Sequence, residues 1–145
     1  PGRRKYMSRK HLLADISATL KSIGLTQNST KQPFTFQSNV RYSSTLLPEK
    51  NDYAHFIVYT PQGSLQIAAK YQETNGTAIE KLAYTAMDAA NSEHQEYLVV
   101  CGGQELLKHN RAITFLNSRK DMAPKLHALE VSELSERLLG YFDAA

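Results

Sequence analysis

Several polar side chains stand where they could hold or act on an anion. Lys70 and Gln72 close the stretch Leu65-Gln66-Ile67-Ala68-Ala69-Lys70-Tyr71-Gln72, and Lys81 follows in the expected first turn of the next helix. A cation in a first turn opposes the helix dipole, and that cost hints at a phosphate contact. Thr77 and Glu80 have the spacing of a capping box, which accounts for both without a ligand. Asp52 follows Asn51 and is equally suited to capping a turn. The basic start of the chain, with Arg3, Arg4 and Lys5 followed by Arg9, Lys10 and His11, would favour a polyanion through counterion release; an ordinary solvated basic end is the plain alternative.

Other chemistries find less support. Five histidines, at positions 11, 55, 94, 109 and 127, have no metal-ligand spacing, and the single cysteine, Cys101, cannot form an internal disulfide. A cysteine that ends an apolar strand reads as inert core sooner than as a thiol nucleophile. Gly102-Gly103-Gln104 resembles the catalytic tripeptide of peptide-release factors, but here it joins a buried strand to a helix. The same turn could hold an anion on its backbone amides.

These residues need a scaffold, and 145 residues suffice for one domain with a real core. With 41% hydrophobic and 21% charged residues the composition is that of a globular protein, and no apolar run approaches the roughly 20 residues of a membrane span. Net charge is +3, with a pI near 9.0. The chain begins without methionine, which suits a processed or excised piece as well as a trimmed one. One domain over 1–145 is expected, with a basic segment 1–8 that could stay flexible.

Apolar periodicity from Arg9 to Ile23 predicts a helix, with Ser8 as its cap and Gly24 as its stop. Residues 26–33 read as a loop, 34–42 as a strand, and 53–60 and 64–71 as a hairpin. A second helix is expected from Thr77 to about Asn91, a buried strand over 97–101, a third helix over 104–117, a strand over 127–131, and a last helix capped by Ser132. The resulting order, α, β, β, β, α, β, α, β, α, implies an α/β fold with a mixed sheet flanked by helices. Read as a three-residue loop, Pro61-Gln62-Gly63 pairs Thr60 with Ser64 and sets Asp52 opposite Gln72. Asp52, Ala68, Lys70 and Gln72 then share a face, whereas a two-residue loop would send Asp52 to the other side. By that register His55 points away from Lys70.

This order, with a lysine closing the third strand, resembles the αβββαβ core of the PD-(D/E)XK nuclease superfamily, which includes many restriction endonucleases. The pattern there is an aspartate at the start of the second strand, then an acidic residue, any residue and a lysine at the end of the third. Asp52 matches the first position and Lys70 the last. Lys70-Tyr71-Gln72, then Gly76-Thr77 and Glu80-Lys81, is similar to a restriction-endonuclease-like subgroup, and the topological likeness spans residues 9 to 131. The resemblance implies Asp52 and the main-chain carbonyl of Ala69 as ligands of Mg2+ or Mn2+, with Lys70 orienting or deprotonating the attacking water and Gln72 in support.

Position 68 departs from the pattern, since the methyl of Ala68 supplies neither ligand nor charge. Three explanations stay open: an engineered exchange of an acid for alanine; another acid, such as Glu80, Glu73, Glu49 or Asp15, acting instead; or a natural pseudonuclease that binds nucleic acid or a protein. The resemblance implies a metal-dependent nuclease acting on DNA or RNA, either restriction-like or the toxin domain of a larger polypeptide. Its partners would be nucleic acid contacted by Thr77, Lys81, Arg3, Arg4 and Lys5, and an immunity protein or a second copy of the chain. No membrane partner is expected, and the expected site of action is cytoplasmic. The alternatives are a catalytically silent binding module on the same fold and a thiol hydrolase built on Cys101.

Overall fold

The computed structural model describes residues 8–74 and 79–143. Arg3, Arg4, Lys5, Thr77 and the expected capping box at Thr77 lie outside the described residues, as does the basic segment up to residue 7. Six strands form one sheet in sequence order: β1 (Thr26–Gln27), β2 (Thr35–Ser43), β3 (Asn51–Thr60), β4 (Gly63–Tyr71), β5 (Glu96–Gly102) and β6 (Leu126–Glu130). The pairs β2/β3 and β3/β4 are antiparallel, and β1/β2, β4/β5 and β5/β6 are parallel. The mixed sheet is as the element order predicts. Strand β1 is an addition, because polar Thr26 and Gln27 carry no apolar alternation and form a strand by pairing with β2.

Helix α1 (Arg9–Ser22) starts at Ser8, whose hydroxyl accepts the His11 N–H at 3.3 Å, and stops at Gly24, where φ is +98°. Its Leu12, Ile16 and Leu20 are fully buried against Val58, Leu65, Ile67, Leu98 and Val100. Each contributes about 2 kcal/mol of burial, enough to fix the start of α1 over the sheet. Helix α5 (Leu134–Asp143) buries Leu134 and Leu138 in the same layer. It enters through a turn over 131–133 closed by reciprocal bonds between Glu130 and Glu133, so Glu130 is the cap and not Ser132. On the opposite face, α2 (Ile79–Ala90), α3 (Gln104–Leu107) and α4 (Arg111–Asn117) pack Leu82, Ala86, Leu106 and Leu116 against Ala68, Val99 and Cys101. The expected single helix over 104–117 is broken because His109 and Asn110 both adopt left-handed backbone, φ +54° and +57°.

The exposed edge of β6 is closed from within. The Asn117 amide donates to the Ala128 carbonyl at 3.0 Å and accepts its N–H at 2.8 Å, occupying both groups a further strand would need.

The hairpin corrects the expected register. Thr60 pairs with Gly63, leaving a two-residue loop of Pro61 and Gln62, and the pairing runs from there to Phe56 opposite Ile67 and ends. Tyr59, not Thr60, stands opposite Ser64.

After Lys70 the chain is clamped to the start of α3. The Gln72 N–H donates to the Gly102 carbonyl, and the Gln72 carbonyl accepts from the N–H groups of Glu105 and Leu106, each at 3.1 Å. A Cβ on Gly103 would stand 2.2 Å from that carbonyl, at a φ of +94°. Gly24 has a similar φ but open space around it. In urea unfolding, Gly103→Ala should therefore cost roughly 2–4 kcal/mol, against about 1 kcal/mol for Gly24→Ala. Equal losses at the two positions would show that the Gln72 main chain yields.

Candidate functional site

Phe56 and Val58 lie in the layer under α1. By simple alternation along β3, Asp52 should follow them to that side. Instead, its carboxylate accepts a hydrogen bond from the Tyr84 hydroxyl of α2, on the other side, at 2.8 Å. The neighbouring Tyr42, paired with Asp52 across β2 and β3, likewise reaches α2, donating to Asp88 at 2.6 Å. Alternation is broken between Ser38–Phe56 and Val40–Ala54, where Asn39 is left-handed (φ +55°). The two-residue loop would send Asp52 to the far side, and this break returns it.

His55 sits at the break and turns into the space between β3 and β4. Its Nδ1 accepts the Ala69 N–H at 2.8 Å, in place of a β3 carbonyl. The expectation that His55 points away from Lys70 is corrected, since its ring bonds the main chain of the residue before Lys70. In an extended strand a residue's N–H and C=O face the same way, so the Ala69 carbonyl faces the gap that β3 leaves.

Lys70 shares the α2 side of β4 with Ala68 and lies opposite Cys101 of β5. Burial lowers its pKa, and the neighbouring charges of Lys81 and Arg9 lower it further. These two cations occupy the first turns of α2 and α1, and the first turn of α1 holds no acid. The Asp88 carboxylate acts on Lys70 in the opposite sense, favouring its charged form.

Asp88, 3% exposed, is the acid that the sequence reading missed. It accepts from the hydroxyls of Tyr42 (2.6 Å), Tyr97 (2.7 Å) and Thr45 (2.8 Å), while the buried Gln66 donates to Tyr42 at 3.3 Å. Burial and the adjacent carboxylate push both tyrosines far above their ordinary pKa. Its sequence signal is an aspartate close to Thr85, Ala86 and Ala89, which are buried in α2.

The remaining candidates fall around this group. The Gln72 side chain donates to the Thr74 carbonyl at 2.8 Å, which holds the chain leaving β4. Glu73 accepts from the Tyr71 hydroxyl at 2.6 Å and the Gln104 N–H at 3.3 Å. Cys101 is 1% exposed, and burial pushes its thiol up to about 12, which disfavours the thiolate a hydrolase would need. Among the described residues no group of three or more His, Cys, Asp or Glu side chains could hold a metal ion.

Burial, then the charges of Lys70 and Arg9, lower the His55 pKa from 6.5 to about 4. The unfolded chain takes up this proton near pH 6.5 and the folded chain only near pH 4, so stability falls on acidification through that window. Melting temperatures between pH 7 and 4 should fall more steeply for the parent chain than for His55→Asn, whose amide oxygen can accept the same N–H without titrating. Parallel curves would remove His55 from the acid sensitivity.

The model of a PD-(D/E)XK nuclease superfamily domain matches residues 6–142. No curated protein and no solved structure matches the chain. No helix among the described residues is long and apolar enough to cross a membrane. With the family match over nearly the whole length, and a lysine closing the third strand of the core, the chain belongs to the PD-(D/E)XK nuclease superfamily.

Proposed function

We propose that this domain binds the phosphodiester backbone of DNA or RNA at the end of β4, and that hydrolysis there requires a carboxylate at position 68. The observation that carries the binding half is Lys70 at the end of β4, its charge disfavoured first by burial and then by the charges of Lys81 and Arg9, which a phosphate would offset. The latter two stand at helix starts, where N–H groups and the dipole also favour an anion.

Nucleases of this superfamily generally use divalent metal ions, and the described residues do not make such a site. Ala68 brings a methyl to the face beside Lys70, and Asp52 is engaged by Tyr84. Asp88 is sequestered by three hydroxyls. The chain as it stands therefore reads as a binder. Ala68→Glu would place an acid on the α2 side of β4, two residues before Lys70.

Fluorescence anisotropy with single- and double-stranded oligonucleotides tests the binding. Affinity should fall with salt, and each of Lys70→Ala, Lys81→Ala and Arg9→Ala should weaken it and reduce the log–log slope by about 0.7–0.9. Ala68→Glu with Mg2+ or Mn2+ should then cleave, and Lys70→Met in that background should abolish cleavage. Binding without cleavage by Ala68→Glu would leave the silent binding module standing; absence of binding by either chain would overturn the proposal.

A further inference from the structure

A crevice of about 360 Å3 opens where β5 and β6 end, next to the exit of β4. This is within the roughly 300–1,000 Å3 of small-molecule pockets, and it lies at the C-terminal ends of parallel strands, where open α/β sheets commonly place ligands. Leu12 of α1 and Leu107 of α3 supply apolar walls, Gly103 contributes main chain to the lining, and Glu73 and Glu130 supply carboxylates. Cys101 both lines the crevice and stands opposite Lys70 across β4 and β5. The cavity is thus one strand away from the lysine of the cationic group.

The charges are arranged with opposite signs. The residues lining the crevice include two carboxylates and no cation, whereas Lys70, opposite Cys101, feels the charges of Lys81 and Arg9 from the starts of α2 and α1. An anion is repelled from the cavity and attracted beside it. Glu73 uses Oε1 for Tyr71 and Gln104, and Glu130 receives one N–H from the turn into α5. A carboxylate has about four acceptor positions, so both keep capacity for a ligand's donors. The fitting ligand is apolar on its faces, carries N–H donors on an edge, and is tied to a phosphate. Cys101, neutral because burial holds its thiol up to about 12, adds a wall without charge.

We propose that this crevice receives one unpaired nucleobase, with Glu73 and Glu130 accepting from its amino and imino groups, while the adjoining phosphate lies on the Lys70 side. Guanine presents the most donors on one edge, and cytosine and adenine present an amino group. Uracil and thymine would set carbonyls against the carboxylates. A base inside a duplex cannot enter, so the pocket selects single-stranded or extruded nucleotides. The inference rests on the phosphate-binding reading of Lys70 and names the form of nucleic acid that the same site would take.

Anisotropy titrations of the chain with single-stranded seven-mers that differ only at the central position (guanine, uracil or an abasic sugar) test this pocket. Guanine should bind at least tenfold more tightly than the abasic strand, with uracil near the abasic value. Glu130→Gln should lower the guanine preference, and Ser132→Phe, which fills the exposed mouth, should remove it. Both should leave abasic affinity unchanged, and Ser132→Phe should also leave the melting temperature unchanged, whereas Glu130→Gln weakens a helix cap. Equal, salt-sensitive affinity for all three strands would overturn the base pocket and leave the phosphate reading intact. Absence of binding to any strand would overturn both, and a guanine preference that survives both substitutions would place the base elsewhere and defeat the proposal.

Discussion

The hydrogen bond from the Ala69 N–H to His55 Nδ1 is the constraint around which this end of the sheet is arranged. A buried backbone N–H must find an acceptor when its partner strand departs. Here a side chain from that strand fills the role, so β3 can leave β4 after Phe56 without stranding a donor in the core. The departure opens a gap at the Ala69 carbonyl and lets the far half of the β2–β3 ribbon turn its other face to α2. Asp52 owes its place beside Tyr84 to that turn. A neutral imidazole is required, and the surrounding cations help to keep it so.

Electrostatics at the site are lopsided in a way that fits an anion-binding surface better than a metal centre. The charges of two cations at helix starts act on a third at a strand end, although a helix start disfavours positive charge by itself. The buried acid Asp88 is tied into a hydroxyl network that joins α2 to β2, β5 and the 44–50 connection. That network does structural work: it gives a buried carboxylate three donors and fixes the helix that carries Lys81. The methyl at position 68 leaves nothing to balance the cations from the strand itself.

Rigidity on the β5 side complements the opening on the β3 side. The main chain after Lys70 is held by Gly102, Glu105 and Leu106, and the close approach of Gly103 leaves no room for a side chain. Lys70 is therefore carried on a strand that is locked to one neighbour and released from the other. Such an arrangement holds a functional side chain in place while leaving space next to it.

Much of the fold was legible in the sequence because it depends on local patterns. Leu12, Ile16 and Leu20 at helical spacing, the Ser8 cap and Gly24 stop of α1, the apolar run of β5, and a hairpin leading into helix–strand alternation all follow from periodicity and turn chemistry. Lys70 at a strand end was readable for the same reason. What sequence could not give were consequences of contacts between distant residues. The two-residue turn at Pro61-Gln62, the reversal at Asn39 and His55, the left-handed break at His109 and Asn110, and the gathering of Tyr42, Thr45 and Tyr97 on Asp88 depend on long-range pairing and burial. The face reached by Asp52 shows the division well. Sequence determined that it begins a strand paired toward Lys70, but tertiary structure decided its side, because the side chain of one histidine replaced a backbone acceptor and the strand was free to turn.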